Sequence, residues 1–389
     1  MIPRDIETTL STLLQGFPVV TITGPRQSGK TTLARKIFGH KPYLSLEDPD
    51  VRMMCTDDPR GFLSRLPDGA VLDEVQRAPE ILSYLQTCID ADGRMGLFVL
   101  TGSQQFGLMS GITQSLAGRT AFIELLPFSI RELTAARICP PTLNETIFHG
   151  GYPPIFDRDL PPRQWFPAYV TAYVERDVRQ LVNVQDLSVF QRFVRLCAGR
   201  SGQLLNLSSL AADCGITHNT AKAWISVLEA SYILFSLRPH FANFNKRMVK
   251  SPKIYFYDTG LLCWLLGIQE PDQLAIHPLR GAVFETFVIS ELVKTRFNRG
   301  ERAELYFWRD SNGNEVDVIA DAGVSLAPIE IKAGQTINRD FFTSLERWMT
   351  LAGDRAAAPS LVYGGTERHV RRGVRVFGWQ EADRALLGG

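Results

Sequence analysis

A glycine-rich loop between a strand and a helix constrains the fold of this 389-residue chain most strongly. Residues 17–23 are an apolar, β-rich run, which predicts a buried strand. Residues 24–31 then match GxxxxGK(S/T), and a helical pattern follows over residues 32–38. Strand, loop and helix in this order form a P-loop, so the sequence predicts an α/β fold with a parallel sheet that binds a nucleoside triphosphate.

The loop residues have distinct predicted roles. Backbone N–H groups wrap the phosphates where glycines let the chain approach closely, and the helix N-terminus adds a favourable field. We expect Lys30 to reach the β- and γ-phosphates and Thr31 to ligate Mg²⁺. The predicted nucleotide-binding residues are Gly24, Pro25, Arg26, Gln27, Ser28, Gly29, Lys30, Thr31 and Thr32.

A second short apolar run, residues 70–72, ends in an acidic pair. Asp73 fits the Walker B acid that holds Mg²⁺ through water, and Glu74 fits the residue that polarises the attacking water. The alternative is an acidic pair at the start of a helix near Pro79, where negative charge is also favourable.

Two further polar positions follow a third predicted strand, residues 97–106. Ser103 or Gln104 fits a group that holds the lytic water or senses the γ-phosphate, although a polar end to the strand explains them as well. Arg119 fits an arginine finger that acts in cis or on a neighbouring subunit. An ordinary surface arginine is the alternative.

The middle of the chain has the pattern of a winged helix-turn-helix. A short helix begins near Leu207 and ends at Gly215, and Thr217 is a good N-cap for a second helix. A β-run follows, so the groove-facing candidates are Thr217, His218, Asn219 and Lys222. The second helix has one lysine and no arginine, which leaves open a winged helix used for protein contacts.

A basic segment follows this pattern, with Arg238, Lys246, Arg247, Lys250 and Lys253 and no acid between them. On a wing, these side chains would contact DNA phosphates. The alternative is a solvated hairpin edge protected by lysines.

Four charged residues near the C-terminus follow the PD-(D/E)xK pattern. Glu285 lies on a predicted amphipathic helix, Asp317 on a hairpin strand, and Glu330 and Lys332 on one face of the next strand. Asp317 and Glu330 would bind Mg²⁺, Glu285 would support them in this metal site, and Lys332 would orient or deprotonate water. The alternative is a buried ion pair between Lys332 and one of the two strand acids.

The composition is that of an ordinary globular protein, with 45% apolar and 21% charged residues and a net charge of +1. The charge therefore gives no bias towards nucleic acid. The six scattered cysteines predict reduced thiols. We expect a cytoplasmic protein without a membrane segment, because signal-peptide and long apolar patterns are missing from the sequence.

Together, GPRQSGKTTL, LDEVQRAPE, LTGSQQF and GNEVDVIA with PIEIKAG give the chain a family resemblance. It resembles bacterial and archaeal ATPases with an AAA-type N-terminal domain and a C-terminal domain of unknown function. The resemblance covers nearly the whole chain. It implies an ASCE-type P-loop core, a middle DNA-binding-like domain and a C-terminal fold related to PD-(D/E)xK nucleases.

The predicted architecture therefore has three parts. Residues 1–183 would be an AAA-type P-loop ATPase core with a helical extension, 184–267 a winged helix-turn-helix, and 268–389 a nuclease-like α/β domain. The predicted function is Mg²⁺-dependent ATP binding and hydrolysis in a homo-oligomer that acts on DNA, with a possible metal-dependent nuclease site. The alternative is a nucleotide-dependent regulatory or structural switch whose C-terminal domain binds a protein partner.

Overall fold

The computed structural model describes residues 2–103, 112, 115–174, 186–240 and 249–386. The chain divides into two compact units. The first consists of Met1–Phe128 and Arg296–Glu301, and the second of Ser129–Thr295 and Arg302–Gly389. The predicted domain boundaries at residues 183 and 267 stay predictions.

The first unit is built on a parallel five-stranded sheet in the order β2-β3-β4-β1-β5. Alternate strand residues enter two apolar clusters, so that Val19 and Leu72 pack on one face and Val20 and Val71 on the other. The strands are β1 Val19–Thr23, β2 Tyr43–Ser45, β3 Ala70–Asp73, β4 Phe98–Thr101 and β5 Thr120–Glu124. The helices are α1 Ile6–Gly16, α2 Lys30–Ile37, α3 Pro49–Asp57, α4 Pro59–Ser64 and α5 Ile81–Asp92.

The predicted strand, loop and helix around the P-loop are confirmed, with shifted bounds. Helix α2 begins at Lys30, two residues earlier than predicted, and β4 ends at Thr101, well before the predicted end of that strand. Gly24 has a φ of 144°, and a Cβ there would lie 2.2 Å from the carbonyl oxygen of Leu125. Only glycine fits this close approach, which explains the first glycine of the motif.

The second unit contains a mixed eight-stranded sheet in the order β12-β13-β11-β10-β9-β8-β6-β7. Strands β6 and β7 form an antiparallel hairpin, and β6 also pairs in parallel with β8. The segments predicted as a wing and as a nuclease-like domain therefore share one sheet. The strands are β6 Leu234–Pro239, β7 Lys253–Phe256, β8 Leu305–Arg309, β9 Glu315–Asp321, β10 Leu326–Lys332, β11 Ser360–Tyr363, β12 His369–Arg371 and β13 Val374–Gly378.

Helices of the second unit pack on this sheet and on one another. The pair predicted as a helix-turn-helix forms where expected, because Gly215 adopts a left-handed φ of 69° and the Thr217 side chain accepts a hydrogen bond from the Thr220 N–H. None of the described helices is both long and apolar enough to cross a membrane. The helices are α6 Ile130–Ala135, α7 Leu143–His149, α8 Pro153–Asp157, α9 Pro162–Tyr169, α10 Leu187–Ala198, α11 Leu207–Cys214, α12 His218–Ala230, α13 Thr259–Leu265, α14 Gln273–Ile276, α15 Arg280–Asn298 and α16 Thr343–Ala352.

Candidate functional site

The P-loop, residues 24–32, runs from the carboxyl end of β1 into the first turn of α2. The buried Lys30 ammonium donates hydrogen bonds to the carbonyl oxygens of Gly24, at 3.0 Å, and Pro25, at 2.7 Å. The Ser28 hydroxyl is buried and has no hydrogen-bond partner among the described residues. A buried, unsatisfied hydroxyl is costly, so its place in a phosphate-binding loop fits a ligand that completes the site.

Arg4 connects the loop to the end of β5. Its guanidinium donates hydrogen bonds to the carbonyl oxygens of Ser28, at 2.9 Å, and Leu126, at 2.7 Å. It also lies 4.7 Å from the ring centroid of Phe128. The sequence alone gave no signal for this contact, because Arg4 is distant from the motif along the chain.

Asp73 lies at the carboxyl end of β3, beside the P-loop helix. Its buried carboxylate accepts hydrogen bonds from the hydroxyls of Thr31, at 3.0 Å, Tyr43 and Thr101. A hydroxyl next to a carboxylate is the pairing that holds Mg²⁺ in P-loop proteins. Thr31 and Asp73 are thus brought together as predicted, whereas Tyr43 and Thr101 were missed because they come from neighbouring strands.

Two contacts position the Tyr43 side chain, one at its hydroxyl and one at its ring. Burial, reinforced by the hydrogen bond to Asp73, raises the pKa of Tyr43 to about 12, so the phenol stays protonated as a donor. The guanidinium of Arg35, on the P-loop helix α2, lies 3.9 Å from the ring centroid. Tyr43 therefore links α2 to the Walker B strand.

Glu74 follows Asp73 in a strained backbone conformation. Its φ of 56° and ψ of 47° are left-handed, which is rare outside glycine and concentrated at functional sites. One carboxylate oxygen accepts hydrogen bonds from the Ser103 hydroxyl, at 3.1 Å, and from the Gln76 amide. The structure thus brings Glu74 and Ser103 together, and adds Gln76. Gln104, the alternative to Ser103, lies outside the described residues.

Arg119 lies at the amino-terminal ends of the sheet strands, whereas the P-loop lies at their carboxyl ends. It precedes β5, whose first residue, Thr120, pairs with Val19, whereas the P-loop follows Thr23 at the other end of β1. Four residues of strand separate these ends by about 13 Å. Arg119 instead forms a two-pronged ion pair with Asp90, at 2.5 and 2.8 Å. This geometry does not fit a finger that acts in cis.

The predicted DNA contacts are described only in part. Lys222 and Lys250 are exposed, as are Thr217, His218 and Asn219 at the start of α12. Lys246 and Arg247 lie outside the described residues. Including Lys253 in the basic patch was wrong, because its side chain is 4% exposed and its ammonium is paired inside the unit.

Lys253 forms the centre of a buried charge cluster. Its ammonium lies 3.0 Å from Glu285 Oε1 and also pairs with Glu315. The Tyr255 hydroxyl donates to the same Glu285 oxygen at 2.5 Å. Burial lowers the pKa of Lys253, but the carboxylates of Glu285, Asp317 and Glu315 raise it above its usual value, so the lysine stays charged.

Asp317, Glu330 and Lys332 lie together on β9 and β10. The Ile331 N–H donates to Asp317 Oδ2 at 2.7 Å, and the Lys332 ammonium donates to Glu330 Oε1 at 2.5 Å. The second oxygen of Glu330 is buried and has no hydrogen-bond partner in the described parts of the chain. Burial first, and the Asp317 charge second, raise the pKa of Glu330 to about 8 and that of Glu285 to about 7.

Besides burial, the Asp317 charge raises the pKa of both Glu285 and Glu330, so the three predicted metal ligands belong to one charge cluster. Across the described ranges, no group of three or more His, Cys, Asp or Glu side chains is placed to hold a metal ion. Glu285 is drawn to Lys253 and Tyr255, which the sequence pattern did not reveal. Metal binding by Asp317 and Glu330 alone stays a prediction.

Family comparisons divide the chain into three consecutive regions. Residues 16–134 match the model of the AAA domain, residues 140–272 a domain of unknown function (DUF8612), and residues 280–381 another (DUF4143). The first match contains the P-loop, Asp73, Glu74 and Ser103, so this region is an AAA-type ATPase domain.

The chain is also similar to individual proteins along most of its length. A solved structure, the Walker-type ATPase PABY2304 of Pyrococcus abyssi, shares 14% identity and a TM-score of 0.47 over 68% of this chain and 96% of that one. The uncharacterized proteins Rv2008c of Mycobacterium tuberculosis and Mb2031c of Mycobacterium bovis are each 31% identical over 370 residues, which cover 94% of this chain and 80% of theirs. At this identity and coverage, the chain belongs to the same family as the two mycobacterial proteins, with an AAA-type ATPase domain in its amino-terminal part.

Proposed function

We propose that the first unit binds ATP with Mg²⁺ and hydrolyses it. The observation that carries this proposal is the meeting of Thr31 and Asp73 beside the P-loop, with Glu74 held next to them by Ser103. These residues come from three separate segments and meet at the carboxyl edge of a parallel sheet. This edge is where open α/β sheets bind their ligands.

Each side chain has one task in the proposed reaction. Mg²⁺ would neutralise charge on the β- and γ-phosphates, and Thr31 and Asp73 would hold it. Lys30 would exchange the carbonyls of Gly24 and Pro25 for phosphate oxygens, a stronger charge-assisted contact. Glu74 would orient the attacking water. Ser103 and Gln76 both donate to its Oε2, so Oε1 would accept the hydrogen bond from that water.

Two variants separate binding from chemistry. Lys30→Ala should lose binding of a fluorescent ATP analogue, whereas Glu74→Gln should keep it. Glu74→Gln should lower phosphate release about 10²–10⁴-fold, the usual contribution of general acid–base catalysis. Glu80→Gln, a change at an exposed glutamate of the same unit, is the matched control. Wild-type turnover by Glu74→Gln would refute the assignment.

We further propose that Arg119 acts on the site of a neighbouring copy in a homo-oligomer. Its pair with Asp90 is exposed, and such pairs are weak enough to exchange for a phosphate. Specific ATPase activity should then rise with protein concentration, and Arg119→Ala should remove this rise without weakening ATP binding. Arg94→Ala is the control, since Arg94 is an exposed arginine paired with Asp92. A flat specific activity with full Arg119→Ala turnover would contradict the trans role.

A second candidate function is DNA binding by the second unit. It is supported by two helices joined at Gly215, the exposed residues at the start of α12, and the β6–β7 hairpin that follows. Replacing Lys246, Arg247 and Lys250 with alanine should weaken DNA binding and lower its log–log salt slope by about 0.9 per lost phosphate contact. A wild-type chain that binds no DNA would favour the alternative, a nucleotide switch with a protein partner.

If the second unit binds DNA, it could also cleave it in a metal-dependent reaction. The buried, unpartnered oxygen of Glu330 supports it, since Asp317 and Glu330 would hold Mg²⁺ and Lys332 would orient water. Asp317→Asn should then abolish Mn²⁺ binding, measured by calorimetry, and any DNA cleavage, while ATP turnover persists. If wild type shows no metal binding at this cluster, the Lys332–Glu330 hydrogen bond is structural and the unit is a binding module.

A further inference from the structure

A buried arginine from outside the nucleotide-binding motif holds the P-loop. Arg4 precedes α1 and is only 8% exposed. Its guanidinium donates one hydrogen bond to the Ser28 carbonyl oxygen, at 2.9 Å, and one to the Leu126 carbonyl oxygen, at 2.7 Å. These oxygens lie in the segments that follow β1 and β5, which are neighbouring strands. One guanidinium therefore fixes the P-loop to the end of β5 through two charge-assisted hydrogen bonds.

Arg4 is itself held in place by further contacts of the first unit. Its backbone N–H donates to Glu7 Oε1 at 2.8 Å, and the Glu7 carboxylate pairs with Lys36, in the last turn of α2, at 2.7 Å. The Phe128 ring centroid lies 4.7 Å from the guanidinium carbon. Because these contacts have already fixed the long side chain, its guanidinium is preorganised for the Ser28 carbonyl.

The part of the loop that Arg4 holds has a strained backbone. Gln27 has a φ of 61°, in the left-handed region that residues other than glycine rarely adopt. The next residue, Ser28, is buried, and its N–H donates to the Pro25 carbonyl oxygen at 3.3 Å. Such strain persists only where the surrounding structure imposes it. The hydrogen bond from Arg4 to the Ser28 carbonyl is one of the contacts that impose it.

The direction of the Ser28 carbonyl decides where the next backbone N–H points. The Ser28–Gly29 peptide is trans, and the C=O and N–H of a planar trans peptide point in opposite directions. Since the Ser28 oxygen faces Arg4, the Gly29 N–H faces away from Arg4, at the start of α2. This N–H has no hydrogen-bond acceptor among the described residues. It is therefore one of the helix-start donors that a phosphate can engage.

We propose that Arg4 is a positioning residue for nucleotide binding. It fixes the Ser28–Gly29 peptide so that the Gly29 N–H, and not the Ser28 carbonyl, faces the phosphates of ATP. This inference rests on the proposed ATP-binding function of the P-loop. If the peptide turned over, a carbonyl oxygen would replace the N–H donor and would repel the negative phosphates. Arg4 acts through this peptide and does not contact the nucleotide.

Replacing Arg4 should weaken nucleotide binding without slowing the chemical step. Arg4→Met keeps the apolar stem but removes the donors, and losing one charge-assisted hydrogen bond to phosphate corresponds to an affinity loss of about tenfold or more. The KM for ATP should rise by this factor while kcat stays near the wild-type value, because the contact is made in both the ground and transition states. Arg4→Lys should fall between, since an ammonium lacks the planar fork that reaches both carbonyls.

The test compares full-length Arg4→Met and Arg4→Lys with the wild type. Arg60→Met is the matched control, because Arg60 is an exposed arginine of the same unit. Titration of a fluorescent ATP analogue with Mg²⁺ gives the Kd, and phosphate release gives KM and kcat. Melting temperatures with and without MgATP provide a readout that does not depend on turnover. Arg4→Met should gain less stabilisation than the wild type from the same ATP concentration, whereas Arg60→Met should match the wild type.

The outcomes separate this inference from the proposed ATPase activity. A raised Kd and KM with a smaller ATP-induced shift in melting temperature supports it. A lower kcat with an unchanged KM overturns it, because that pattern indicates a smaller folded fraction and a purely structural role for Arg4. If Arg4→Met does not fold, the KM of Arg4→Lys decides in the same way. Wild-type Kd in both variants refutes the role of Arg4 and leaves the ATPase proposal standing, whereas a wild type that does not bind ATP refutes both.

Discussion

Replacing Lys253 with methionine should strongly destabilise the second unit. Methionine keeps much of the side-chain volume but removes the ammonium that lies 3.0 Å from Glu285 and also pairs with Glu315. The cluster would then hold buried carboxylates without their central cation. Burial already raises the pKa of Glu285 to about 7, which shows how poorly this site tolerates negative charge.

The expected loss of stability follows from the burial of the Lys253–Glu285 ion pair. Removing one partner of a buried ion pair typically costs about 3–5 kcal/mol, because the other charge stays buried and uncompensated. For a domain of roughly 150–250 residues, each kcal/mol lowers the melting temperature by about 2–4 °C. We therefore expect Lys253→Met to lower the melting temperature by about 6–20 °C at pH 7.5.

Thermal unfolding followed by circular dichroism is the assay, with Lys332→Met as the matched control. The Lys332 side chain is 34% exposed and pairs with Glu330, so the loss of its partly solvated ammonium should destabilise the unit less. Adding Glu285→Gln to Lys253→Met should recover part of the loss, because the neutral amide leaves less charge unpaired. A Lys253→Met protein that melts as high as Lys332→Met would refute the reasoning.

Three further measurements probe other parts of the molecule. Gly260→Ala should cost about 1–3 kcal/mol by overpacking, because a Cβ there would lie 2.6 Å from the Phe166 ring. A Cβ at Gly281 would meet open space, so Gly281→Ala should not lower the melting temperature. Equal melting temperatures for Gly260→Ala and Gly281→Ala would contradict the overpacking at Gly260. Tyr43→Phe should raise the Mg²⁺ concentration needed for half-maximal binding of an ATP analogue about tenfold, since a hydrogen bond to a charged group contributes about 1.5 kcal/mol or more; an unshifted titration would count against it. The pKa of Glu330 is raised from 4.5 to about 8, so the folded state holds this proton and its stabilising contribution is lost as the pH rises through about 8. Glu330→Gln should flatten this part of the stability–pH curve, and parallel curves for variant and wild type would disprove the raised pKa.

The local elements were predictable because each is encoded by neighbouring residues. The strand, glycine loop and helix of the P-loop formed as predicted, since apolar periodicity and glycine spacing act within about twenty residues. The alternation on β10 also held, with Ile329 and Ile331 buried opposite Glu330. Walker B residue Asp73 was found from a short apolar run followed directly by acids.

Contacts between distant segments were decided only by the tertiary structure. Lys253 belongs to a basic run in the sequence, but it lies on β7 inside the sheet, where Glu285 and Glu315 surround it. Tyr43 and Thr101 reach Asp73 because β2 and β4 flank β3. Sequence patterns report which face of an element is apolar, whereas the partner of a polar side chain depends on which strands become neighbours, and that order is set by packing of the whole chain.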